Sequence, residues 1–297
     1  MMKLTFLGTS DAIPTAKRNH TSILLTYDGE NILVDCGEGT QRQFRKAKIN
    51  PNRVNRILIS HWHGDHVLGI PGMLQSMALS GYNKTLFVYG PKGTKKFMKE
   101  ILKTFLFQGK YKIEVQEVSG KFFETSDFYL EAVPMEHKIP CNAYCFVKKS
   151  QIRINKSKLK QAGLPNSPLI GKLKQGKNIS YKGKKYLAKK LTYKTEGAKV
   201  SFVLDTKNNK KIIPFVKNSD LFVCESTYSD ELKDMAKEHN HMTSKQVAEI
   251  AKKAKAKKLI LIHLSQRYEK NPEFILKEAK KIFKNSFLVD DLDVVKV

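Results

Sequence analysis

A short histidine-rich stretch constrains this chain of 297 residues more than any other part of it. Residues 60–66 read S-H-W-H-G-D-H, so three imidazoles and one carboxylate fall within six consecutive positions. The apolar run at residues 56–60 predicts a buried strand before the stretch, and residues 67–74 predict a turn that opens a helix after it. The pattern therefore indicates a strand-to-helix loop that carries several potential metal ligands.

The spacing within this loop predicts two neighbouring cation sites. Positions two apart point the same way in an extended segment, so His61 and His63 can bind one cation. A turn at Gly64 then directs Asp65 and His66 to an adjacent point in space. The alternative is a polar surface loop that holds three of the eight histidines by chance and has no role.

The overall composition is that of a folded protein with free thiols. The hydrophobic fraction of 41% allows a chain of this length to bury a substantial core. No apolar run reaches the roughly 18 residues that a membrane-spanning helix needs, so we expect a cytoplasmic location and no membrane partner. The cysteines have no zinc-binding spacing and are expected to be buried thiols without disulfides: Cys36, Cys141, Cys145 and Cys224.

Positive charge is concentrated in one part of the chain. The sequence has 54 Lys and Arg against 28 Asp and Glu, a formal net charge of +26. Residues 148–199 hold sixteen of these cations and one acid, Glu196, so they supply +15 of that total. A general bias toward lysine would spread the charge more evenly. The distribution therefore favours a polyanionic partner, nucleic acid before an anionic membrane.

Alternating and apolar runs predict several further elements. A hairpin is expected at residues 22–27 and 31–35, around the turn formed by Asp28 and Gly29. An amphipathic helix is expected at residues 94–107 with Thr94 as its N-cap, and a later helix is expected to begin after an N-cap at Thr243. Further predicted strands include residues 4–7, 86–89, 112–118, 128–133, 200–204, 221–224 and 259–262.

Three motifs resemble those of known enzyme families. H-x-H-x-D-H at residues 61–66 is similar to the signature of the metallo-β-lactamase superfamily. G-T-S-x-x-x-P-T-x-x-R-N at residues 8–19 and D-C-G-E-G-T-Q at residues 35–41 resemble the N-terminal motifs of ribonuclease Z, the endonuclease that trims the 3′ end of precursor tRNA. The resemblance implies an α/β fold, the metallo-β-lactamase αββα sandwich, as a single domain over residues 1–297 with a protruding basic arm.

Potential ligands from other strand ends complete the two sites that the loop begins. His137, Asp205 and His263 follow predicted strands, and the family motifs place ligands at the positions of His137 and Asp205. Such imidazole and carboxylate ligands suit two Zn²⁺ ions per subunit, with Mn²⁺ possible. Asp35 is expected to orient the loop through hydrogen bonds rather than to bind metal. One set is His61, His63, His137 and Asp205, and the other is Asp65, His66, His263 and the shared Asp205.

The resemblance also implies the groups that move protons. Asp65 is expected to orient the attacking water or to take its proton. His241 is expected to protonate the leaving 3′ oxygen, with Glu225 holding its ring and tautomer, as the family's Glu and H-x-T motifs imply. His239 is the rival donor and is expected to be exposed, whereas His20 is expected to be structural.

The basic segment interrupts the alternation of strands and helices. Residues 148–190 are rich in Lys, Gly and Pro, which indicates a protruding element outside the core. Ribonuclease Z carries its flexible tRNA-binding arm, the exosite, at this place, although the family's P-x-G-P turn reads P-N-S-P at residues 165–168 here. A solvated, disordered lysine loop is the alternative. The lysines expected to contact phosphates are Lys156, Lys158, Lys160, Lys172, Lys174 and Lys177.

The predicted activity is hydrolysis of precursor tRNA just 3′ of the discriminator nucleotide, which leaves a 3′ hydroxyl for CCA addition. The resemblance further implies a homodimer in which one subunit's arm binds the tRNA that the other subunit cuts. One alternative is a small-molecule phosphodiesterase, lactonase or lactamase on the same scaffold. The others are an exonuclease and a non-catalytic RNA-binding protein that keeps a relic metal fold.

Overall fold

The computed structural model describes residues 2–165 and 167–297, so Asn166, in the predicted turn at residues 165–168, lies outside the described residues. These residues form two seven-stranded sheets and two small two-stranded sheets. The strands of the first large sheet are β1 (Met2–Gly8), β2 (Ser22–Tyr27), β3 (Glu30–Val34), β4 (Arg56–Leu58), β5 (Leu86–Gly90), β6 (Ile113–Glu117) and β18 (Val294–Lys296). Their spatial order is β18-β1-β2-β3-β4-β5-β6.

The second large sheet has the order β17-β16-β15-β14-β9-β8-β7. Its strands are β7 (Gly120–Glu124), β8 (Phe128–Met135), β9 (Cys141–Lys148), β14 (Ala198–Val203), β15 (Leu221–Glu225), β16 (Leu259–Ile262) and β17 (Ser286–Leu288). The pairs from β14 to β17 are parallel, as are those from β3 to β6 in the first sheet. Parallel strands deliver their carboxyl ends to one edge of a sheet, and ligand-binding side chains collect there.

The chain divides into two compact units. The first contains the residues up to Phe123, together with Leu130–Phe146 and Lys199–Val297. Its helices are α1 (Thr40–Lys46), α2 (Gly64–Val67), α3 (Ile70–Leu79), α4 (Thr94–Thr104), α8 (Ile212–Val216), α9 (Lys233–His239), α10 (Ser244–Lys253) and α11 (Glu273–Ile282). Short 3-10 helices occupy Pro51–Arg53, Asp230–Leu232 and Gln266–Tyr268.

The second unit contains Glu124–Tyr129 and Val147–Ala198. It contains β10 (Gln151–Ile154), α5 (Lys156–Gln161), α6 (Leu169–Lys174), β11 (Ile179–Tyr181), β12 (Lys184–Tyr186), α7 (Ala188–Leu191) and β13 (Thr192–Thr195). Strands β10 and β13 pair, as do β11 and β12. A small apolar cluster lies inside this unit, with Leu173 and Ile179 among its buried members. The lysine-rich segment is therefore folded around a core of its own.

Apolar side chains bury both faces of the first large sheet. Leu24 and Leu33 share one buried cluster with Phe44 of α1, Met73 of α3 and Met98 of α4, all 2% exposed or less. The neighbouring strand residues Ile23 and Leu25, which point to the opposite face, are equally buried. Strands buried on both faces belong to a layered sandwich with helices outside, so the predicted α/β sandwich is confirmed.

Most of the predicted elements that position the site are present. The hairpin forms between β2 and β3, and β16 spans the predicted residues 259–262. The N-cap prediction is confirmed at Thr243, whose side chain forms a capping box with Gln246. It is wrong at Thr94, because the N-cap is Gly93. The Thr94 hydroxyl instead donates to the carbonyl of Pro91, and Glu117 accepts the N–H groups of Gly93 and Lys95.

Two further expectations concern burial and membranes. All four cysteines are free and buried, as predicted, and burial raises the pKa of Cys36 and of Cys145 to about 12. Thiols held in this neutral form pack as small apolar groups.

Across residues 2–165 and 167–297, no helix combines the length and the apolar character that crossing a membrane requires.

Candidate metal centre

The histidine-rich loop leaves β4 and enters α2, as the sequence predicts. Its first residue, Ser60, is held by Asp35, whose Oδ1 accepts the Ser60 N–H at 2.6 Å and whose Oδ2 accepts the Ser60 hydroxyl at 2.6 Å. Asp35 follows β3 and has a φ of 56°, a left-handed conformation that is uncommon for a residue with a side chain. The backbone strain therefore occurs at a residue that orients the loop, consistent with its predicted role.

The D-C-G segment at residues 35–37 is hydrogen-bonded to the same loop and to the residues that follow it. The Cys36 N–H donates to the His66 carbonyl at 2.8 Å, and the Cys36 carbonyl accepts the Gly69 N–H at 2.9 Å. A Cβ atom on Gly37 would lie 2.5 Å from the Asp65 carbonyl oxygen, which no side chain tolerates. Glycine is therefore required at position 37, and this close approach gives the motif its physical reason.

In four of the histidine rings the Nδ1 atom, which faces away from the centre of the site, is held by a hydrogen bond. The hydroxyl protons of Ser60 and Thr227 go to Asp35 and Glu225, so both hydroxyl oxygens accept from the rings. The Nδ1 donors and their acceptors are His61 to Ser60 Oγ (3.0 Å), His66 to Asp35 Oδ2 (2.6 Å), His137 to the Asn240 carbonyl (3.2 Å) and His263 to Thr227 Oγ1 (3.0 Å). In its neutral form each ring therefore keeps a lone pair on Nε2, the tautomer that metal binding needs.

The inward-facing atoms of these side chains form two adjacent groups. In the first group, His63 Nδ1 lies 2.9 Å from His61 Nε2 and 3.2 Å from His137 Nε2. In the second, His66 Nε2 lies 3.3 Å from His263 Nε2 and 3.1 Å from Asp65 Oδ2. Within each group the potential ligand atoms all lie within 4.8 Å of one another.

Asp205 belongs to both groups. Its Oδ2 lies 3.6 Å from His61 Nε2, whereas its Oδ1 lies 3.4 Å from His66 Nε2 and 3.2 Å from His263 Nε2. The residue is 3% exposed, and among the described residues its Oδ1 has no hydrogen-bond partner. A buried carboxylate oxygen without a partner is costly, and lone pairs that face one another repel. Divalent cations between these atoms would remove both penalties, so the residues fit a two-metal centre.

Burial and charge set the protonation states of the group that surrounds His61. Burial and the neighbouring imidazole of His66 hold the pKa of His61 well below its usual value. Burial also lowers the pKa values of His63 and His137. Burial would raise the pKa of Asp205, but the cationic forms of His263 and His66 outweigh it and lower that pKa. Neutral imidazoles beside an ionised carboxylate are the forms that bind a cation.

A third group lies beside the second one. Glu225 is fully buried, and its carboxylate accepts the His241 Nδ1–H at 3.1 Å and the Thr227 hydroxyl at 2.7 Å. It also accepts the backbone N–H of Thr206 at 2.8 Å. Burial would lower the pKa of His241, but the Glu225 carboxylate outweighs burial and raises that pKa to about 9. The predicted pairing of His241 with Glu225 is therefore present.

These groups open into one cavity of about 530 Å³, a size typical of ligand-binding pockets. His239 lines this cavity and is exposed, as predicted, while His20 is buried, with its Nε2 3.3 Å from the Ala12 carbonyl. The cavity is also lined by Lys138, Tyr228 and Arg267, for which the sequence predicted no role. The S-Q-R-Y segment at residues 265–268 was the available signal for Arg267.

The six lysines predicted to contact RNA all belong to the second unit and are all exposed. They lie on α5 and α6 and directly after α6: Lys156, Lys158, Lys160, Lys172, Lys174 and Lys177. Tyrosines accompany the basic residues of the β11–β12 hairpin, where Lys182 Nζ lies 5.7 Å from the ring centroid of Tyr181. Long cationic side chains therefore give this surface a positive charge.

Comparisons with known proteins together cover the whole chain. A family model described as anti-Pycsar protein Apyc1 matches residues 2–156 and ends before Asp205 and Glu225. Ribonuclease Z of Methanothermobacter thermautotrophicus is 41% identical, covering 100% of this chain and 97% of that protein. Ribonuclease Z of Streptococcus agalactiae is 38% identical, covering 99% of each. The crystal structure of human tRNase Z, short form, superposes with a TM-score of 0.72 at 24% identity, covering 99% of each chain.

Proposed function

The chain belongs to the ribonuclease Z family, and from this we propose that it removes the 3′ trailer of precursor tRNA by cutting just after the discriminator nucleotide. Family membership makes it a metal-dependent nuclease that acts in tRNA processing. One observation carries the proposal: seven side chains from four strand ends meet in two groups that share Asp205. The relatives' name and full-length match do not favour the small-molecule phosphodiesterase alternative.

We propose that the two groups hold two Zn²⁺ ions per subunit, with Mn²⁺ as the alternative. The donor set of imidazole and carboxylate, without thiolate, supports this assignment. Bound divalent cations would activate a water and offset the negative charge that develops on the phosphate. The proposed ligands are His61, His63, His137 and Asp205 for one ion, and Asp65, His66, Asp205 and His263 for the other.

Asp65 lines the cavity, and we assign it the attacking water. Burial would raise its pKa, but the imidazoles of His66 and His263 outweigh burial and lower that pKa. A lowered pKa makes this carboxylate a weaker base, so Asp65 accepts a hydrogen bond from the water and orients it rather than keeping its proton.

His241 is the proposed donor to the leaving 3′ oxygen. Its side chain is 13% exposed and lines the cavity, while its Nδ1 is occupied by Glu225. A pKa of about 9 keeps the ring protonated at neutral pH, so Nε2 carries a proton that can be given away. The proton moves from Nε2 to the 3′ oxygen as the P–O bond breaks, which leaves the 3′ hydroxyl on the trimmed tRNA.

The second unit contains the proposed tRNA-binding arm. Its exposed lysines are point charges that neutralise phosphates without reading bases, which suits recognition of tRNA shape. The arm as proposed covers residues 148–190, within the compact unit that contains Val147–Ala198. A role in tRNA maturation also assigns the protein to the cytoplasm, where precursor tRNA is available to an enzyme of this kind.

An exposed apolar surface supports the proposed homodimer. Leu79 at the end of α3 is 81% exposed, and Leu106 after α4 is 82% exposed. Phe105, which is 47% exposed, lies next to Leu106 in the chain, and Leu79, Leu106 and Phe107 line one shallow cavity. Large apolar side chains exposed together are typical of interaction sites, and a second copy of the same surface would cover them.

The proposed function is tested by cleavage of a precursor tRNA that lacks an encoded CCA. The metal-stripped protein should be inactive, and Zn²⁺ or Mn²⁺ should restore a single cut after the discriminator nucleotide. His241→Ala should slow cleavage by about 100-fold or more, whereas the exposed neighbour His239→Ala should not. Metal-restored protein that leaves this RNA intact, or trims it one nucleotide at a time, would overturn the proposal.

A further inference from the structure

We infer that Asp291, six residues before the end of the sequence, is a positioning residue for the metal centre. Its Oδ1 accepts the Thr9 hydroxyl at 2.9 Å, and its Oδ2 accepts the Asn19 N–H at 2.7 Å and Gln43 Nε2–H at 2.8 Å. One carboxylate therefore joins three segments that are far apart in sequence: both ends of the loop after β1, and helix α1. Its action on the site passes through Thr9.

Thr9 connects Asp291 to a proposed metal ligand. The Thr9 carbonyl accepts the His263 N–H at 2.9 Å. His263 has a φ of 57°, a left-handed conformation that a residue with a side chain keeps only when surrounding contacts impose it. The strand-end turn that aims the His263 ring is thus fixed by a carbonyl whose own residue is held by Asp291.

The same carboxylate closes the base of a loop that forms one wall of the cavity. Thr9 and Asn19 stand at the two ends of this loop, and the Ser10 N–H also donates to the Asn19 carbonyl at 2.9 Å. Asp11, Ala12 and Ile13, near the start of the loop, line the cavity above the two groups. Closing the base of the loop therefore keeps these residues in place over the site.

Arg18 balances the charge of this contact. The residue is 7% exposed, and its Nη1 donates to Thr9 Oγ1 at 2.6 Å and to the Val289 carbonyl at 2.7 Å. The Thr9 hydroxyl therefore accepts from Arg18 and donates to Asp291, a chain of hydrogen bonds with one arrangement of protons. Replacing Arg18 or Asp291 leaves buried polar groups without partners, and this costs more free energy than the loss of the bond itself.

Asp291→Asn tests the inference because it keeps the shape of the side chain. An amide has only one accepting oxygen, so it cannot accept from Thr9 on one side and from Asn19 and Gln43 on the other. The NH₂ group repels the donors that it faces, and this displaces Thr9. We expect the affinity for Zn²⁺ in the group that contains His263 to fall by about 10- to 100-fold, the effect typical of groups that orient ligands. The affinity of the group with His61 and His63 should stay unchanged. Chelator competition with metal-stripped protein measures both affinities without reference to activity.

Two further variants make the test decisive. Asp290→Asn is the matched control, because Asp290 is the neighbouring acid, pairs with Arg18 and has a side chain that is 80% exposed. It should leave both affinities unchanged. Thr9→Val keeps the carbonyl that accepts from His263 but removes the hydroxyl that donates to Asp291. It should therefore lower the affinity for the same ion. In the double variant the two effects should not add, because Asp291 acts through Thr9. Thr9→Val also serves if Asp291→Asn does not fold.

The outcomes separate this inference from the proposed function on which it rests. If wild-type protein binds two ions and Asp291→Asn binds both as tightly, Asp291 is not a positioning residue. Equal weakening of both ions, or the same loss in Asp290→Asn, would show a general loss of stability instead and also overturn the inference. If wild-type protein binds no metal, the metal centre itself is wrong.

Discussion

Asp205 is the residue whose loss should affect both proposed metal sites. Its two oxygens belong to different groups, so Asp205→Asn leaves each group with a weaker, neutral ligand. We expect the bound metal to fall from two ions toward none and cleavage to drop by at least about 100-fold. Elemental analysis after dialysis measures the metal content.

The control for that variant is Asp28→Asn. Asp28 is exposed in the β2–β3 turn with a φ of 45°, a conformation that Asn adopts readily. It should keep both ions and full activity. If Asp205→Asn retained two ions with wild-type affinity, Asp205 would not be a shared ligand.

Glu225 should control the pH dependence of cleavage through His241. As a proton donor His241 acts when protonated, so the rate should fall as pH rises through its pKa of about 9. Glu225→Gln removes the negative charge that raises this pKa, so the alkaline limb of the pH–rate profile should move to lower pH. Glu238→Gln changes an exposed acid three residues before His241 and should leave the limb unmoved. An unmoved limb in Glu225→Gln would exclude His241 as the donor.

Single residues differ in how well the sequence predicts their place. His61, His63 and His66 lie within six positions and follow a strand, so local spacing predicted that they would meet. The resemblance supported His137 and Asp205, whereas His263 was expected from its place at a strand end, and the predicted proximity is present. Asp291 was not predicted, because 282 positions separate it from Thr9 and no periodic pattern connects residues so far apart.

Helix α10 gives a test at the level of one element. The Thr243 side chain accepts the Gln246 N–H at 3.3 Å, and Gln246 Oε1 accepts the Thr243 N–H at 3.0 Å. Thr243→Ala removes one of these bonds and should lower the free energy of unfolding by about 1 kcal/mol in urea denaturation. Thr104→Ala, at an exposed helix end, should change it by a few tenths at most. Equal effects of the two variants would mean that the cap contributes no specific stability.

Elements with a local signal were predictable, and those without one were not. The Asp28–Gly29 turn predicted the hairpin, and the T-x-x-Q pattern fits the capping box at Thr243. Strand β9 was missed because six consecutive residues from Cys141 are buried, so its sequence shows no alternation. Thr94 was assigned wrongly because its hydroxyl finds partners in Pro91 and Trp62, contacts that depend on the tertiary fold.

For the molecule as a whole, composition located the lysine-rich segment but did not predict the structure that it forms. The lysine-rich composition marked a segment distinct from the main core, and the second unit contains Val147–Ala198. Its own apolar cluster was not predicted, because Leu164, Leu173 and Leu191 are isolated apolar residues among lysines and glycines. Such a cluster exists only once helices and hairpins bring distant positions together.

The proposed arm should determine how tRNA binding responds to salt. Each phosphate contact releases counterions, so the logarithm of the binding constant falls linearly with the logarithm of salt concentration. Replacing six arm lysines by Gln should weaken precursor tRNA binding and reduce that slope by up to about 5. Cleavage of a small phosphodiester should not change, because these lysines do not line the cavity. The variant replaces Lys156, Lys158, Lys160, Lys172, Lys174 and Lys177.

A second variant with the same net charge separates the arm from the charge of the whole molecule. Six exposed lysines of the first unit are replaced by Gln in it: Lys252, Lys253, Lys255, Lys277, Lys280 and Lys281. If the arm makes the contacts, only the arm variant loses slope, because counterion release counts phosphates that are contacted and not total charge. Equal loss in both variants would mean that tRNA is attracted by the overall +26 charge, and the arm would then have no specific part in binding.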